Sequence, residues 1–422
     1  MCKIKEVLSQ GLGYTTSIQT TTGGQMFTKQ TIKDVDLTDK RVLVRVDWNV
    51  PGTESGQIED DFRIRASLPT LKYLRDHGAS KIIIISHRGR PEGIVTQKDS
   101  LKPAQPIAEA LLSEKVRFAE DARGDIARHA IESTERFVLL ENLRFHAEEE
   151  ANDEAFAKEL ASYADIFVQD GFAVVHHPAA SVTEIPKLLP AFAGLLVEKE
   201  VKTILSAMLQ PQRPLLAIIG GAKIEGKIEL IDEFIEKADN VVIGGAMANT
   251  FIQDEHFGGF DVAKSLYDSG EAEQIQRIYD DLQKNNKQLL LPTIDVAVGT
   301  SIEDTERKEK LTTDVWGDDV ILDLGQKSIA EIEAAIDQAK TIIWNGPIGY
   351  FENPAFMEGS KRIAKAIARS DAFSVIGGGD TADLIDHLGI ATDFDHVSTG
   401  GGASLELMAG KQLPGVEALQ NA

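Results

Sequence analysis

The chain has 422 residues with a formal net charge of −23 at pH 7, and 42% of its residues are hydrophobic. That length suits about two or three domains with sizeable cores, and the negative charge argues against non-specific binding to nucleic acid or an anionic membrane. A single cysteine, Cys2, excludes an internal disulfide and a cysteine-based zinc site; a reducing cytoplasm is the natural compartment, and no apolar run approaches the roughly 20 residues that span a bilayer.

The first 25 residues include a polar, Thr-rich stretch, Ile18–Gly24, with neither an apolar signal core nor an Arg-rich presequence. The expectation is a disordered leader with Met26 as the working start. From Arg41 onward, apolar runs alternate with amphipathic segments, the pattern of βα units on a parallel sheet. The first half offers Val42–Val46, Ile82–Ile85, Phe137–Leu140 and Ile166–Val168. Ala193–Met208 then reads as one helix, with Leu196, Val197, Val201, Ile204 and Leu205 in an apolar stripe and Pro211 and Pro214 stopping it. With no Gly/Ser tether, this join suits a hinge.

The second half offers Leu215–Ile219, Val241–Ile243, Leu289–Leu291, Ile342–Trp344 and Phe373–Ile376. Leu215–Leu230 is the most informative stretch: strand, glycine turn at Gly220 and Gly221, cations at Lys223 and Lys227, then a helix with Ile228, Ile231 and Ile235 at helical spacing. That order brings bare N–H groups and a helix N-terminus to one point, which suits phosphate. Gly221–Lys227 fits the start of a P-loop, but Ile228 stands where the metal-binding hydroxyl belongs. Near the end, Pro414, Val416 and Leu419 suggest a docked terminal segment.

Ligands of open α/β sheets sit at the carboxyl ends of the strands. In the first half those ends carry Asp47 and Asn49, then Ser86–Pro91 with His87, Arg88 and Arg90, then Glu141–His146 with Arg144, then Asp170, His176 and His177. Arg and His clamp small anions through charge-assisted bonds. In the second half they carry Gly220–Lys223, Gly244–Gly245, Asn345–Pro347, Gly377–Thr381 and Ser398–Gly402, glycine turns that let a nucleotide approach the backbone. Singly, each residue has an ordinary structural use as a turn cap, a surface ion pair or a packing glycine. Together they describe a two-substrate anion site, with cations concentrated locally against a repulsive global charge.

At these residues the chain resembles phosphoglycerate kinase, from about Thr31 to the C-terminus. The motifs are Arg41–Pro51 (RVLVRVDWNVP), Ser86–Pro91 (SHRGRP), Leu140–His146 (LENLRFH), Gly220–Lys227 (GGAKIEGK), Trp344–Gly349 (WNGPIG), Gly377–Ala382 (GGGDTA) and Ser398–Glu406 (STGGGASLE). The resemblance implies an α/β fold of two Rossmann-like parallel-sheet domains facing each other across a cleft and joined by a helix. The expected division is a leader at 1–27, an acid-binding domain at 28–192, a hinge at 193–210, a nucleotide-binding domain at 211–404, and a terminal segment at 405–422 docking back on the first domain. It further implies reversible phosphoryl transfer from ATP to the carboxylate of 3-phosphoglycerate with Mg²⁺, in a cytoplasmic monomer with no nucleic-acid or membrane partner.

Carried over by motif, Asp47, Asn49, Arg63, His87, Arg90, Arg144 and His177 resemble the 3-phosphoglycerate site, and Arg63 and Lys223 the catalytic cations. Gly221, Ala222, Lys223, Lys227, Gly244, Gly245, Asn345, Pro347, Gly349, Gly378, Gly379 and Thr381 are similar to nucleotide-site residues. Glu352 resembles the ribose-binding acid, and Asp380 the carboxylate on the metal side. Two departures stand out. Where the family usually reads AHRAH, this chain has Val175-His176-His177-Pro178-Ala179, so His177 occupies the phosphate-binding arginine position. Arg88 occupies a position that is commonly apolar; it is expected either to replace part of the lost cation or to point to solvent. Two rivals remain at this point: another two-lobed nucleotide enzyme such as a glycosyltransferase, which needs no Arg/His cluster, and a non-catalytic binding protein on the same scaffold.

Overall fold

The apolar runs form two parallel six-stranded sheets in the computed structural model, which describes residues 27–422. Apart from Phe27, the expected leader lies outside the described residues. The first sheet contains β1 (Arg41–Arg45), β2 (Lys81–Ile85), β3 (Val116–Ala119), β4 (Phe137–Leu140), β5 (Ile166–Gln169) and β6 (Ala191–Ala193), in the spatial order 3-4-2-1-5-6. The second contains β7 (Leu215–Ile219), β8 (Asn240–Ile243) and β9 (Leu289–Leu290). After an insertion of β10 (Asp295–Gly299), β11 (Lys308–Leu311) and β12 (Val320–Leu324), it continues with β13 (Thr341–Asn345), β14 (Phe373–Gly377) and β15 (His396–Val397). Its order is 15-14-13-7-8-9, while β10 pairs antiparallel with β11 and β12 in a sheet of its own.

Central strands such as Leu215–Ile219 are buried on both faces, because helices cover both sides of a parallel sheet. In each large sheet the chain leaves the first strand in one direction and returns to build the other, so β1 and β7 border the switch points where ligands sit. One apolar cluster is continuous between the lobes. It runs from Leu43 and Phe167 through Val197, Val201 and Ile204 to Leu215 and Ala217.

The connecting helix spans Leu195–Leu209. It starts two residues later than the apolar stripe suggests, because Ala193 belongs to β6 and Gly194 caps the helix in an extended conformation. Glu200 on this helix is fully buried. It accepts from Thr399 N at 2.7 Å and Thr399 Oγ1 at 2.8 Å and lies 2.6 Å from His396 Nε2, fixing the helix to the second lobe. The C-terminal residues return to the first lobe: Gln30 N donates to the Gln420 carbonyl, Ala422 N to that of Thr28, and Gln420 N to that of Ala191. Among the described residues no helix is long and apolar enough to cross a membrane.

Asp170, at the end of β5, accepts from Leu196 N at 2.9 Å in the first turn of the connecting helix. Burial pushes its carboxyl up to about 8, against the opposing hydrogen bonds from Thr70 and the helix backbone. Its folded-state value lies above the unfolded one, so stability falls as pH rises from about 4 towards 8. Asp170→Asn keeps a neutral side chain in place. Denaturant unfolding is expected to show the variant gaining on the wild type across that window, and parallel pH profiles would contradict the shift.

Candidate active site

Charged and polar groups at the ends of β1, β2, β4 and β5 meet in one cavity of about 540 Å³. Asp47, Asn49, Arg63, His87, Arg90, Arg144 and His177 all line it, and Gly379, Gly401 and Gly402 close it from the second lobe. Those glycines open the helices Gly379–His387 and Gly401–Met408, so bare N–H donors face the cations.

The positive charge is held by specific acceptors. Arg63 pairs with Asp47, and Arg144 donates to the Gly89 carbonyl at 2.9 Å and pairs with Glu150 at 3.1 Å. The Asn49 side chain accepts from Gly89 N at 2.8 Å, so one glycine orients both Asn49 and Arg144. His87 is buried, and its pKa lies well below the usual imidazole value, first through desolvation and then through Arg45, Arg144, Arg63 and Arg90. It is therefore neutral, and its approach of 3.7 Å to Asp47 is not an ion pair. Nδ1 accepts from Arg45 Nη2 at 3.2 Å, which leaves the proton on Nε2 as a donor.

Strand-end reading missed four charged residues that line this cavity: Arg45, Glu92, Glu149 and Glu150. Arg45 is buried on β1, donates to Ser181 Oγ at 2.8 Å and lies 3.9 Å from the buried Glu149. A charged residue inside the apolar run Val42–Val46 was the available signal. The His176 ring packs against Gly402 of the second lobe, and its buried Nδ1 has no protein partner.

The second lobe holds a separate cavity of about 290 Å³, lined by Gly221, Ala222, Gly245, Pro347, Gly349, Glu352 and Asp380. Its other wall is β12 with Ile302, from the insertion that the sequence pattern did not reveal, together with Leu266 from the segment before β9. Turns after β7, β8 and β13 converge because they lack side chains. A Cβ on Gly220 would lie 2.0 Å from the Pro347 carbonyl oxygen, and one on Gly244 2.6 Å from the Ile348 side chain. Gly346 N donates to Thr381 Oγ1 at 2.7 Å, while Asn345 is buried with Nδ2 unpartnered beside Gly377 and Gly378.

Lys227 sits beneath these turns and donates to the Gly220 carbonyl; burial lowers its pKa and Asp380 opposes that shift. Lys223 is exposed and lines neither cavity. On β12, burial raises the Asp323 carboxyl to about 6 despite its pairing with Arg307. The two cavities adjoin along one helix N-terminus, with Gly379 lining the first and Asp380 the second.

A family model described as phosphoglycerate kinase matches residues 32–411. This chain belongs to the phosphoglycerate kinase family. It is 42% identical over 395 residues to the phosphoglycerate kinase of Moorella thermoacetica, covering 93% of this chain and 99% of that one. It is 43% identical over 401 residues to that of Dictyoglomus turgidum, covering 92% and 98%. Among solved structures, phosphoglycerate kinase from Coxiella burnetii aligns with a TM-score of 0.81 at 35% identity, and that from Pyrococcus horikoshii with 0.78 at 31%; each alignment covers 92% of this chain and 98% of the other.

Against the family pattern, His177 is exposed at the rim of the first cavity. Arg88 does not compensate for it, and it does not point to solvent either. Its guanidinium is buried and donates to the carbonyls of Val50, Gly56 and Ser100. Both expectations assumed an exposed arginine, and burial against three carbonyls removes that premise.

Gly346 has φ +89°, and a Cβ there would lie 2.2 Å from the Gly220 carbonyl oxygen. Gly346→Ala is expected to cost about 3 kcal/mol in chemical denaturation. Gly379→Ala, with open space at its Cβ, should cost less than about 1 kcal/mol.

Proposed function

We propose that this chain transfers the γ-phosphoryl group of ATP to the carboxylate of 3-phosphoglycerate, and runs the reverse, using the residues gathered at the two adjoining cavities. The acceptor carboxylate is already ionised at pH 7, so no general base is required. A carboxylate oxygen bonds to the γ-phosphorus while the bond to the β–γ bridging oxygen breaks, leaving ADP. Catalysis then rests on positioning and charge stabilisation. The observation that carries this reading is the placement of Gly379 and Asp380, consecutive residues that line the acid cavity and the nucleotide cavity respectively.

In this reading Arg90, Arg144 and His177 bind the substrate phosphate, while Asp47, Asn49 and the Nε2–H of neutral His87 orient the remainder. Arg63, on the wall shared with the adjoining cleft, faces the transferring group. The Gly220–Lys227 turn, Gly245, Asn345, Pro347 and Gly349 seat the nucleotide, with Glu352 on the ribose and Lys227 on the phosphates. Mg²⁺ fits Asp380, a carboxylate on the cavity wall coupled to Lys227, in the manner of a hard cation held by one carboxylate and substrate phosphates. When bound it neutralises phosphate charge. Lys223 is exposed, so we place its contact with the γ-phosphoryl group in a closed state reached by bending about the connecting helix, which also excludes water. A monomeric, cytoplasmic enzyme is part of the proposal.

The test is turnover with ATP, Mg²⁺ and 3-phosphoglycerate, followed through reduction of the acyl phosphate. Lys223→Ala should lower kcat by about 10²–10³-fold with the KM for ATP changed only a few-fold; near-normal kcat would remove Lys223 from the chemistry. A chelator should abolish turnover, added Mg²⁺ should restore it, and Asp380→Asn should shift the restoring concentration upward. An unshifted Mg²⁺ curve would place the cation elsewhere.

A further inference from the structure

The segment joining Asn49 to Arg63 passes out of the fold and back again. Both ends carry acid-cavity residues, and between them lies an irregular hairpin closed by Thr53 N to the Gln57 carbonyl, Gly56 N to the Thr53 carbonyl and the isolated pairing of Gly52 with Ile58. Such a loop forms its own turn, but nothing in those bonds fixes it to the lobe. Arg88 does. Its Nε donates to the Val50 carbonyl at 3.3 Å at the root of the hairpin, and Nη1 donates to the Gly56 carbonyl at 2.9 Å near the tip. Nη1 also reaches the Ser100 carbonyl at 3.0 Å on a separate loop.

The backbone of the same residue is gripped as well. Asn142 Oδ1 accepts from Arg88 N at 3.2 Å, and Asn142 Nδ2 donates to its carbonyl at 2.6 Å. Arg88 is buried, and among the described residues its guanidinium forms no direct salt bridge; Asp99 and Glu141 balance its charge at longer range. Gly52 makes room for it, since a Cβ there would lie 2.0 Å from Nη2. Substituting an apolar side chain removes the donor from three carbonyls, two of them in buried bonds.

We propose that Arg88 is a positioning residue, which ties the Val50–Ile58 hairpin to the lobe and thereby holds Asn49 and Arg63 at the acid cavity. Neighbouring His87 and Arg90 line that cavity directly, so a single strand-end turn supplies two side chains to the acid and a third to the loop that frames it. The inference rests on the proposed function for its kinetic test, and on the clamp geometry alone for its structural one.

The decisive variant is Arg88→Met, which keeps reach and removes the donors. The KM for 3-phosphoglycerate is expected to rise about tenfold while kcat stays within about twofold and the KM for ATP is unchanged. Arg88→Lys should recover part of the loss, and amide exchange at residues 50–58 should accelerate in Arg88→Met. Gly52→Ala drives a methyl against both the guanidinium and the Gln57 carbonyl of the hairpin, loosening the clamp from the loop side, and should reproduce the same KM signature, which covers the case where Arg88→Met fails to fold. A wild-type KM for 3-phosphoglycerate in either variant overturns the inference, as does an equal rise in both KM values or unchanged exchange in the hairpin. A wild-type enzyme with no turnover would instead sink the functional reading, leaving the exchange measurement to decide the clamp.

Discussion

Gathering positive charge in one place is the constraint on which this structure turns. Arg45, Arg63, Arg90 and Arg144 surround His87 closely enough that all four disfavour its protonation. Such a cluster is stable without ligand only if each guanidinium has somewhere to donate. Asp47, Glu149, Glu150 and the Gly89 carbonyl serve Arg63, Arg45 and Arg144, while Arg90 is exposed to water, which explains why so cationic a cavity contains carboxylates. The same crowding fixes the histidine tautomer and makes His87 a neutral donor. The overall charge of −23 lies elsewhere on the molecule, so the local field can oppose the global one.

The second lobe solves the complementary problem by removing side chains. At Gly220, Gly244, Gly245 and Gly346 the turns after three strands approach so closely that a methyl group would strike neighbouring atoms. What remains is main chain, helix N-termini and two lysines in different states, one half-buried under the turns and one exposed. Charge in the first lobe is therefore carried by side chains with balanced partners, and in the second largely by backbone dipoles.

Much of this was legible because parallel strands announce themselves as apolar runs and their carboxyl ends follow directly in sequence. Asp47, Asn49, His87, Arg90, Arg144, His176 and His177, all read at the first four strand ends, lie around one cavity, and Arg63, which only the resemblance supplied, joins them there. What escaped was whatever lacked that signature. Val116–Ala119 carries Arg117, Ala191–Ala193 has only three residues, and Lys308–Leu311 is mostly charged. The antiparallel insertion depends on pairing between distant segments, so its wall on the second-lobe cavity could not be read locally. Arg88 was misread for a different reason. Arginine in a loop is ordinarily exposed, and only the folded hairpin brings three carbonyls to it.

The pairing of residues 28–30 with residues 420–422 has a mechanical consequence. The main chain crosses between lobes twice, once along the Leu195–Leu209 helix and once on the way to Pro414. Two bodies joined at two points are not free to swivel in every direction; the easy rotation is about the line through both joints. The terminal tail thus acts as a second pin on a door, turning a loose pair of lobes into a jaw with a defined swing.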